Sequence, residues 1–572
     1  MKRSKKGFTL IELLAVIVIL AIIALIAVPV ILNIIDKANK SSFKDTAYGV
    51  LSAGELYFAE QQFEPNGMTE DEVTFELPSQ VNTENGVQIK GEVPNGVLKV
   101  NKEGKVALAL YNGRYCAKKE YIDNDIVIIE NLDECSLGVP TISELERLYT
   151  FNYYSSLLQA VNDVNNNEVG VNSNEGKEGA IAGVYTTNGQ SYVVLLQDTT
   201  EQTGLQISTD MTLNLGGHKL TTTDANAINL TAGNLVIDGR LEGSAIEKTN
   251  TNADAAVLVK TAAETAITVS GGTYSISNEN RADAFQLAGE ASLSDAVINV
   301  NSISNEAIGV YSVGNINVSG CDITAISGNG KVRALYVVRN NVTVSNSKIK
   351  AASHGLGSNV YGILTLDNVD LTVTNCNITA DGHSDYIPEG ETVAKTISVY
   401  AISSGSTTKL TIDGGYYWGA REALGIHGMA RINGGVYEGC QHGGAYMSGN
   451  DIKVKNATFR NVDYTGEVGW DSSNWHGAAV YCGGSNGGAN VWFDNCRFES
   501  TVKTTHGIVA KYRDTKVYLS NSVIEADTNN IFRADATDYI YLGENVSGDI
   551  NSFMGDGYLD ATTYAGQNFG EW

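Results

Sequence analysis

The chain has 572 residues, 60 of them glycine and only six proline, with abundant Asn, Ser and Thr, a composition of turn-rich β structure spread over more than one domain. Its 65 acidic and 39 basic residues leave a formal charge of −26, which repels nucleic-acid phosphates and argues against a nucleic-acid partner. Seven cysteines in so long a chain do not make a disulfide scaffold.

The first element is a basic leader, with Lys2, Arg3, Lys5 and Lys6 ahead of Gly7. Phe8-Thr9-Leu10-Ile11-Glu12 follows, and the sequence is then uncharged from Leu13 to Ile35, long enough to cross a bilayer as a helix. A secretory signal has a shorter apolar core with its cleavage site after it, and a plain membrane anchor has no use for Glu12. A carboxylate at that depth is costly in lipid and points to a function.

Lys-Gly-Phe-Thr-Leu-Ile-Glu resembles the processing site of type IV prepilins and pseudopilins. The resemblance implies that prepilin peptidase cuts between Gly7 and Phe8, that Phe8 is N-methylated, and that Glu12 serves assembly with other pilin subunits.

From Phe8 to Phe63 the pattern predicts one long helix of roughly 84 Å, apolar all round over 8–35 and amphipathic beyond. The amphipathic half presents Phe43, Ala47, Val50, Leu51, Gly54, Leu56 and Phe58. Pro29 predicts a kink or local melting, and pilins carry a proline at this place. Residues 64–140 predict a small antiparallel sheet from 87–90, 96–100 and 105–111, with Asn95-Gly96 as a hairpin-type turn. This region looks like a pilin head. The segment between Cys116 and Cys135 is similar to the disulfide-bounded loop of many pilin heads, two free thiols being the alternative.

After Pro140 the character changes. Ser143-x-x-Glu146 fits a capping box, and Leu145, Leu148, Tyr149, Leu157, Leu158 and Val161 predict an amphipathic helix running to Asn165. Repeats then take over: Ile316-Asn-Val-Ser319-Gly, Val342-Thr-Val-Ser345-Asn, Leu371-Thr-Val-Thr374-Asn and Val517-Tyr-Leu-Ser520-Asn are four of about ten. Turn positions 270, 294, 319, 345, 374, 413, 433, 455, 494 and 520 recur at intervals of about 25 residues, with a second strand between most of them, which describes a solenoid. These repeats resemble the right-handed parallel β-helix of the pectate-lyase-like superfamily. The helix before them would cap the open end of such a rod and cover its edge strands. Cys321, Cys376 and Cys496 share one repeat position, two coils apart for the first pair, and read as buried, reduced thiols.

The domains expected are therefore a leader (1–7), a long helix (8–63), a β head (64–140), a linker with a capping helix (141–200), an all-β parallel β-helix (201–550) and a tail (551–572). No catalytic motif, cofactor site or metal site is recognised: the chain has no Asp-Asp pair of the polygalacturonase kind, and Asp238, Asp413 and Asp494 stand singly in turns. His442, His476 and His506 are read as one register on neighbouring coils, with Glu422 near the same corner. Such a ladder would bind sugar or metal, or be purely structural, which is the preferred reading. Two long coils carry insertions at 381–395 and 462–476, the second holding Trp470, Trp475 and His476. Exposed aromatics on loops over a rigid scaffold suit stacking on sugars or docking to a protein, with packing of the loop onto the rod as the alternative.

The combined reading is a minor, tip-located type IV pilin that displays a β-helix for adhesion to a glycan or host surface. It is inserted in the cell membrane by a single span before assembly and is extracellular afterwards. A pilus-displayed or membrane-tethered carbohydrate-active enzyme and a secretion-system pseudopilin are the alternatives.

Overall fold

The computed structural model describes residues 10–63 and 72–548 apart from short internal stretches, of which 387–394 and 463–477 are the longest, together with 558–559. Most side chains of residues 10–33 are also outside the description. The chain divides into two compact units, Met1–Thr150 and Phe151–Trp572.

In the first unit, helix α1 (Leu10–Gln61) lays one stripe on a five-stranded antiparallel sheet whose strands follow in chain order: Glu72–Leu77, Asn95–Asn101, Val106–Tyr111, Cys116–Lys119 and Val127–Ile129. Phe43, Ala47, Val50 and Ala53 recur at helical spacing and are buried against Leu98, Val100, Leu108 and Leu110. Leu56, expected on that stripe, is exposed because it lies across the helix from Gly54. Polar groups fix the rim: Asp36 accepts from Arg114 at 2.8 Å and pairs with Lys40, which also reaches Glu130. Cys116 and Cys135 form a disulfide with Cα atoms 5.5 Å apart.

Two local expectations fail here. Residues 87–90 are not a ladder strand, and Asn95-Gly96 opens a strand rather than making a turn. Gly96 is needed for close approach, since a Cβ there would stand 2.1 Å from the Ala109 carbonyl oxygen. The reversal instead lies between Asn101 and Lys105, whose N–H donates to the Asn101 side chain at 2.9 Å.

The helix predicted from 143 to 165 is two helices, α2 (Ile142–Leu148) and α3 (Leu157–Asn165), separated by the strand Asn152–Tyr154. Ser156 caps α3 by accepting from the Gln159 N–H at 3.4 Å. Leu157, Ala160, Val161 and Val164 of α3 close the end of the rod's interior. Asn165 then binds the free edge of the first strand of one sheet, donating to the Gln206 carbonyl at 2.7 Å and accepting from the Ser208 N–H at 3.0 Å. An edge strand with unpaired backbone groups is thus covered.

The second unit is a parallel β-helix of three long sheets. Among the described residues sheet I has 13 strands from Leu205–Ile207 to Asn529–Arg533, and sheet III has 14, from Thr199–Glu201 to Ser547–Gly548. Sheet II runs in parallel from Gln190–Leu195 through Met211–Asn214 to Tyr539–Leu542, and its opening strand pairs antiparallel with Ala182–Thr187. Each coil passes from sheet I to II to III, as in Ala282–Leu287, Glu290–Ser294 and Val297–Ser302, before Ala307–Ser312 begins the next. Inward Val, Ile, Leu and Phe stack into one continuous core.

The repeat turn positions align residue for residue: Ser270 opposite Ser294, Ser294 opposite Ser319, Ser319 opposite Ser345, Ser345 opposite Thr374, and onward to Asp494 opposite Ser520. The next residue has positive φ at Asp295, Asn346, Asn375, Asn456, Asn495 and Asn521, the left-handed conformation that Asn and Asp tolerate best among residues with a side chain. Side chains extend the ladder: Asn456 Nδ2 donates to Asn433 Oδ1 at 2.9 Å, and Asn495 Nδ2 to Asn456 Oδ1 at 2.8 Å. Cys321, Cys376 and Cys496 follow this turn, are buried and unbridged, and each thiol reaches its own turn carbonyl at 3.3–3.4 Å. Ser347 takes the same place on the coil between Cys321 and Cys376, with its hydroxyl on the Ser345 carbonyl at 2.7 Å.

Candidate ligand-binding site

Both insertions fall at the corner where sheet III passes to sheet I. One follows Asn377–Asp381 and precedes Val399–Ser404; the other follows Thr458–Asn461 and precedes Ala478–Cys482. They are three strands apart in sheet III, roughly 14 Å along the rod. Asp385–Tyr386 and Lys395–Thr396 of the first insertion pair antiparallel.

Trp470, Trp475, His476 and His442 lie outside the described residues, as do Gly7 and Phe8 and the Glu12 side chain. His506 begins a sheet I strand and stands opposite Ala478, two residues beyond position 476; Glu422 stands opposite Gly443, one beyond position 442. The shared register expected of the three histidines falls on His442 and His476, outside the described residues.

Sheet I turns a different set of side chains outward beside this corner. Along one line the register reads Asp283, Ile308, Arg333, Tyr361, Tyr400 and Glu422. Along the next outward line it reads Gln286, Tyr311, Tyr336 and, farther on, Tyr446 and Tyr481. Tyr361 and Tyr400 stack at 6.2 Å, Tyr446 and Tyr481 at 5.3 Å, and the Arg333 guanidinium lies 4.5 Å from the Tyr336 ring centroid. Arg281 holds both Asp283, at 2.8 Å, and Glu306, at 3.4 Å. Arg421 Nε is 3.3 Å from Glu422. His427, solvent-exposed, packs 5.7 Å from Tyr446 and bonds Ser448 Oγ through Nδ1 at 2.8 Å, and desolvation on its packed side pushes its pKa below the ordinary value. The sequence signal was one tyrosine per coil, as in Val310-Tyr311, Leu335-Tyr336, Val399-Tyr400 and Val480-Tyr481.

Of this face Tyr311, Arg333, Tyr336, Tyr361 and Tyr446 are partly exposed, whereas Asp283, Tyr400, Glu422 and Tyr481 are buried; the exposed rings and guanidinium suit stacking on and hydrogen-bonding a polyhydroxylated ligand. The face does not place Asp283 and Glu422 together: they are five strands apart, roughly 24 Å, whereas the two carboxyl groups of a glycosidase stand about 5–9.5 Å apart. The described tryptophans lie elsewhere, Trp418 on sheet III opposite Glu438 and Trp492 on sheet II, stacked on Tyr518 at 5.1 Å. Among the described residues no group of three or more His, Cys, Asp or Glu is arranged to hold a metal ion. Among them also, no helix is long and apolar enough to cross a membrane; the apolar half of α1, on which that expectation falls, is outside the side chains described.

The Prokaryotic N-terminal methylation motif matches residues 2–28. No curated protein matches the sequence. Solved structures similar to it are the Dettilon tailspike protein (gp208), at 11% identity, TM-score 0.27 and 61% of each chain covered, and the receptor-binding protein of bacteriophage Det7, a podoviral tailspike in a myovirus. The latter is 8% identical with TM-score 0.21, covering 64% of this chain and 73% of that one. The Azotobacter vinelandii mannuronan C-5 epimerase AlgE6 A-module is 10% identical with TM-score 0.21, covering 65% of this chain and 90% of that one. The chain thus spans about three fifths of the Dettilon tailspike, and the β-helix assignment rests on its own strand register. The methylation motif implies processing by prepilin peptidase, membrane insertion and assembly with other pilins. The chain joins a type IV pilin N-terminal methylation motif to a parallel β-helix.

Proposed function

We propose that the protein is a minor, tip-located pilin whose β-helix makes adhesive contact with a glycan or host surface. The observation that carries this reading is the convergence of both insertions on the corner beside the tyrosine-lined face of sheet I. Trp470, Trp475, His476 and His442 are placed by sequence in or next to that corner, and His506 opens a strand there. So large a cargo suits one end of a fibre better than a repeating shaft.

Immunogold labelling of sheared pili against the β-helix tests location: label at fibre ends is expected, and label along the shaft overturns the tip assignment. Replacing Trp470 and Trp475 together by Ala should abolish adhesion while secretion and thermal unfolding stay unchanged. Loss of stability with adhesion intact would show that these rings only pack the loop. Incubation with acidic polysaccharides and product analysis tests the enzymatic alternative, and absence of the protein from extracellular fibres would favour a pseudopilin.

A further inference from the structure

The turns that join sheet I to sheet II line a cleft on another corner of the rod. Turns at 338–340, 366–368 and Gly405 stack on successive coils around a volume of about 670 Å³, room for one or two sugar rings. Asn340 and Asn368 carry the chain round the corner with φ of 75° and 61°. Asn340 Nδ2 ties its turn to the coil before, donating to the Val313 carbonyl at 2.8 Å.

Arg339 projects from the first of these turns and is exposed. Among the described arginine side chains it alone makes no ion pair. In a chain of charge −26 an unneutralised guanidinium in a cleft stands out against its surroundings. The one carboxylate lining the cleft, Asp367, is engaged by the following turn: its Oδ1 accepts from Ser406 Oγ at 2.8 Å and the Thr407 N–H at 3.2 Å. The Ser406 bond, followed by the Thr407 N–H, holds its carboxyl below the usual range. Leu366, 41% exposed, supplies an apolar wall. Thr407 Oγ1 donates to Asn368 Oδ1 at 3.2 Å, which leaves the Asn368 amide nitrogen without a partner among the described residues.

We propose that this cleft binds an acidic sugar, with the carboxylate on the Arg339 guanidinium, the ring against Leu366 and the Asn368 amide donating to a hydroxyl. A planar guanidinium matches a carboxylate with two parallel hydrogen bonds, which gives orientation as well as affinity. The site is separate from the corner that carries the insertions, and it holds whether or not those insertions adhere.

The test is calorimetric titration of the full-length protein in detergent micelles with D-glucuronic acid and, as the neutral counterpart, D-glucose. Glucuronic acid should bind saturably, more weakly at high salt, and glucose at least tenfold more weakly. Arg339→Ala should weaken glucuronic acid binding at least tenfold and Arg339→Lys less, while the double Trp470→Ala, Trp475→Ala variant binds as the parent does. Equal binding by the parent and Arg339→Ala, equal binding of the two sugars, or no saturable binding of glucuronic acid would each overturn the proposal. If the double tryptophan variant alone lost binding, the sugar would belong to the other corner.

Discussion

Tyr400 stands directly opposite Glu422 in the parallel register of sheet I, and both are buried although neither belongs to the rod's interior core. Burial keeps the Tyr400 phenol protonated far above its ordinary range, so it is a hydrogen-bond donor at every working pH. Its ring lies over Gly425, where a Cβ would come within 2.8 Å of a ring carbon.

Removing the Glu422 carboxylate takes away the ion pair that it makes with the poorly exposed guanidinium of Arg421. Glu422→Ala is expected to destabilise the rod by roughly 3 kcal/mol, and Glu422→Gln by less, because breaking a buried ion pair costs more than losing a neutral hydrogen bond. The urea midpoint of the C-terminal coils measures this. An unchanged midpoint would mean that the pair contributes nothing net.

Mass spectrometry of the mature protein should find N-methylated Phe8 as its first residue, as the motif at residues 2–28 implies. Glu12→Ala should still be inserted and cleaved yet enter fibres poorly, because its carboxylate is expected to pair with the amino group of a neighbouring subunit. Normal incorporation of that variant would refute the assembly role.

A thiol reagent applied to the native protein should label Cys440 first, since Cys321, Cys376, Cys482 and Cys496 are buried. Burial also pushes the Cys496 pKa up to about 12, which suppresses the reactive thiolate. Peptide mapping should find one bridge, between Cys116 and Cys135, and replacing both by Ser should cost about 3 kcal/mol in the chain-entropy account. A second bridge among the β-helix cysteines would overturn the coil register.

His427 is solvent-exposed, so the pH dependence it gives the rod is small, with its sign set by the desolvation of one side of the ring. That desolvation lowers its folded pKa below 6.5, with the Glu422 charge opposing in part. The unfolded imidazole therefore takes up a proton first as the pH falls. Stability present in full above pH 6.5 is lost as the pH drops toward the folded pKa. The imidazole resonance should titrate below 6.5, and His427→Gln should flatten the dependence of the unfolding midpoint between neutral and mildly acid pH. A titration above 6.5 would reverse the sign and sink the assignment.

The rod was readable in the sequence because one turn constrains it so tightly. Asn346, Asn375, Asn456, Asn495 and Asn521 all adopt left-handed backbone, and few residues other than Asn, Asp and Gly do so readily, which prints a period on the sequence. The candidate site was less legible. Tyr361 and Tyr400 face each other across a strand pair but are 39 residues apart in the chain, and only the strand register, with an insertion between them, reveals it. Asn95-Gly96 shows the opposite failure, a local turn signal overruled by the tight packing of Gly96 against Ala109. The helix expected through Leu148 and Leu157 is divided because Asn152–Tyr154 is drawn into sheet II by pairing with Ala182–Thr187, a contact no local pattern encodes.

Strand pairing resumes in register directly after the second insertion, with Tyr481 opposite Tyr446 on the preceding coil. The corner loops take no part in the asparagine ladder, so their length and content leave the stacking of the coils untouched. On the proposed adhesive reading, recognition diversifies by loop exchange alone. The N-terminal helix with its methylation motif, and the rod that presents the loops, would pass unchanged through such an exchange.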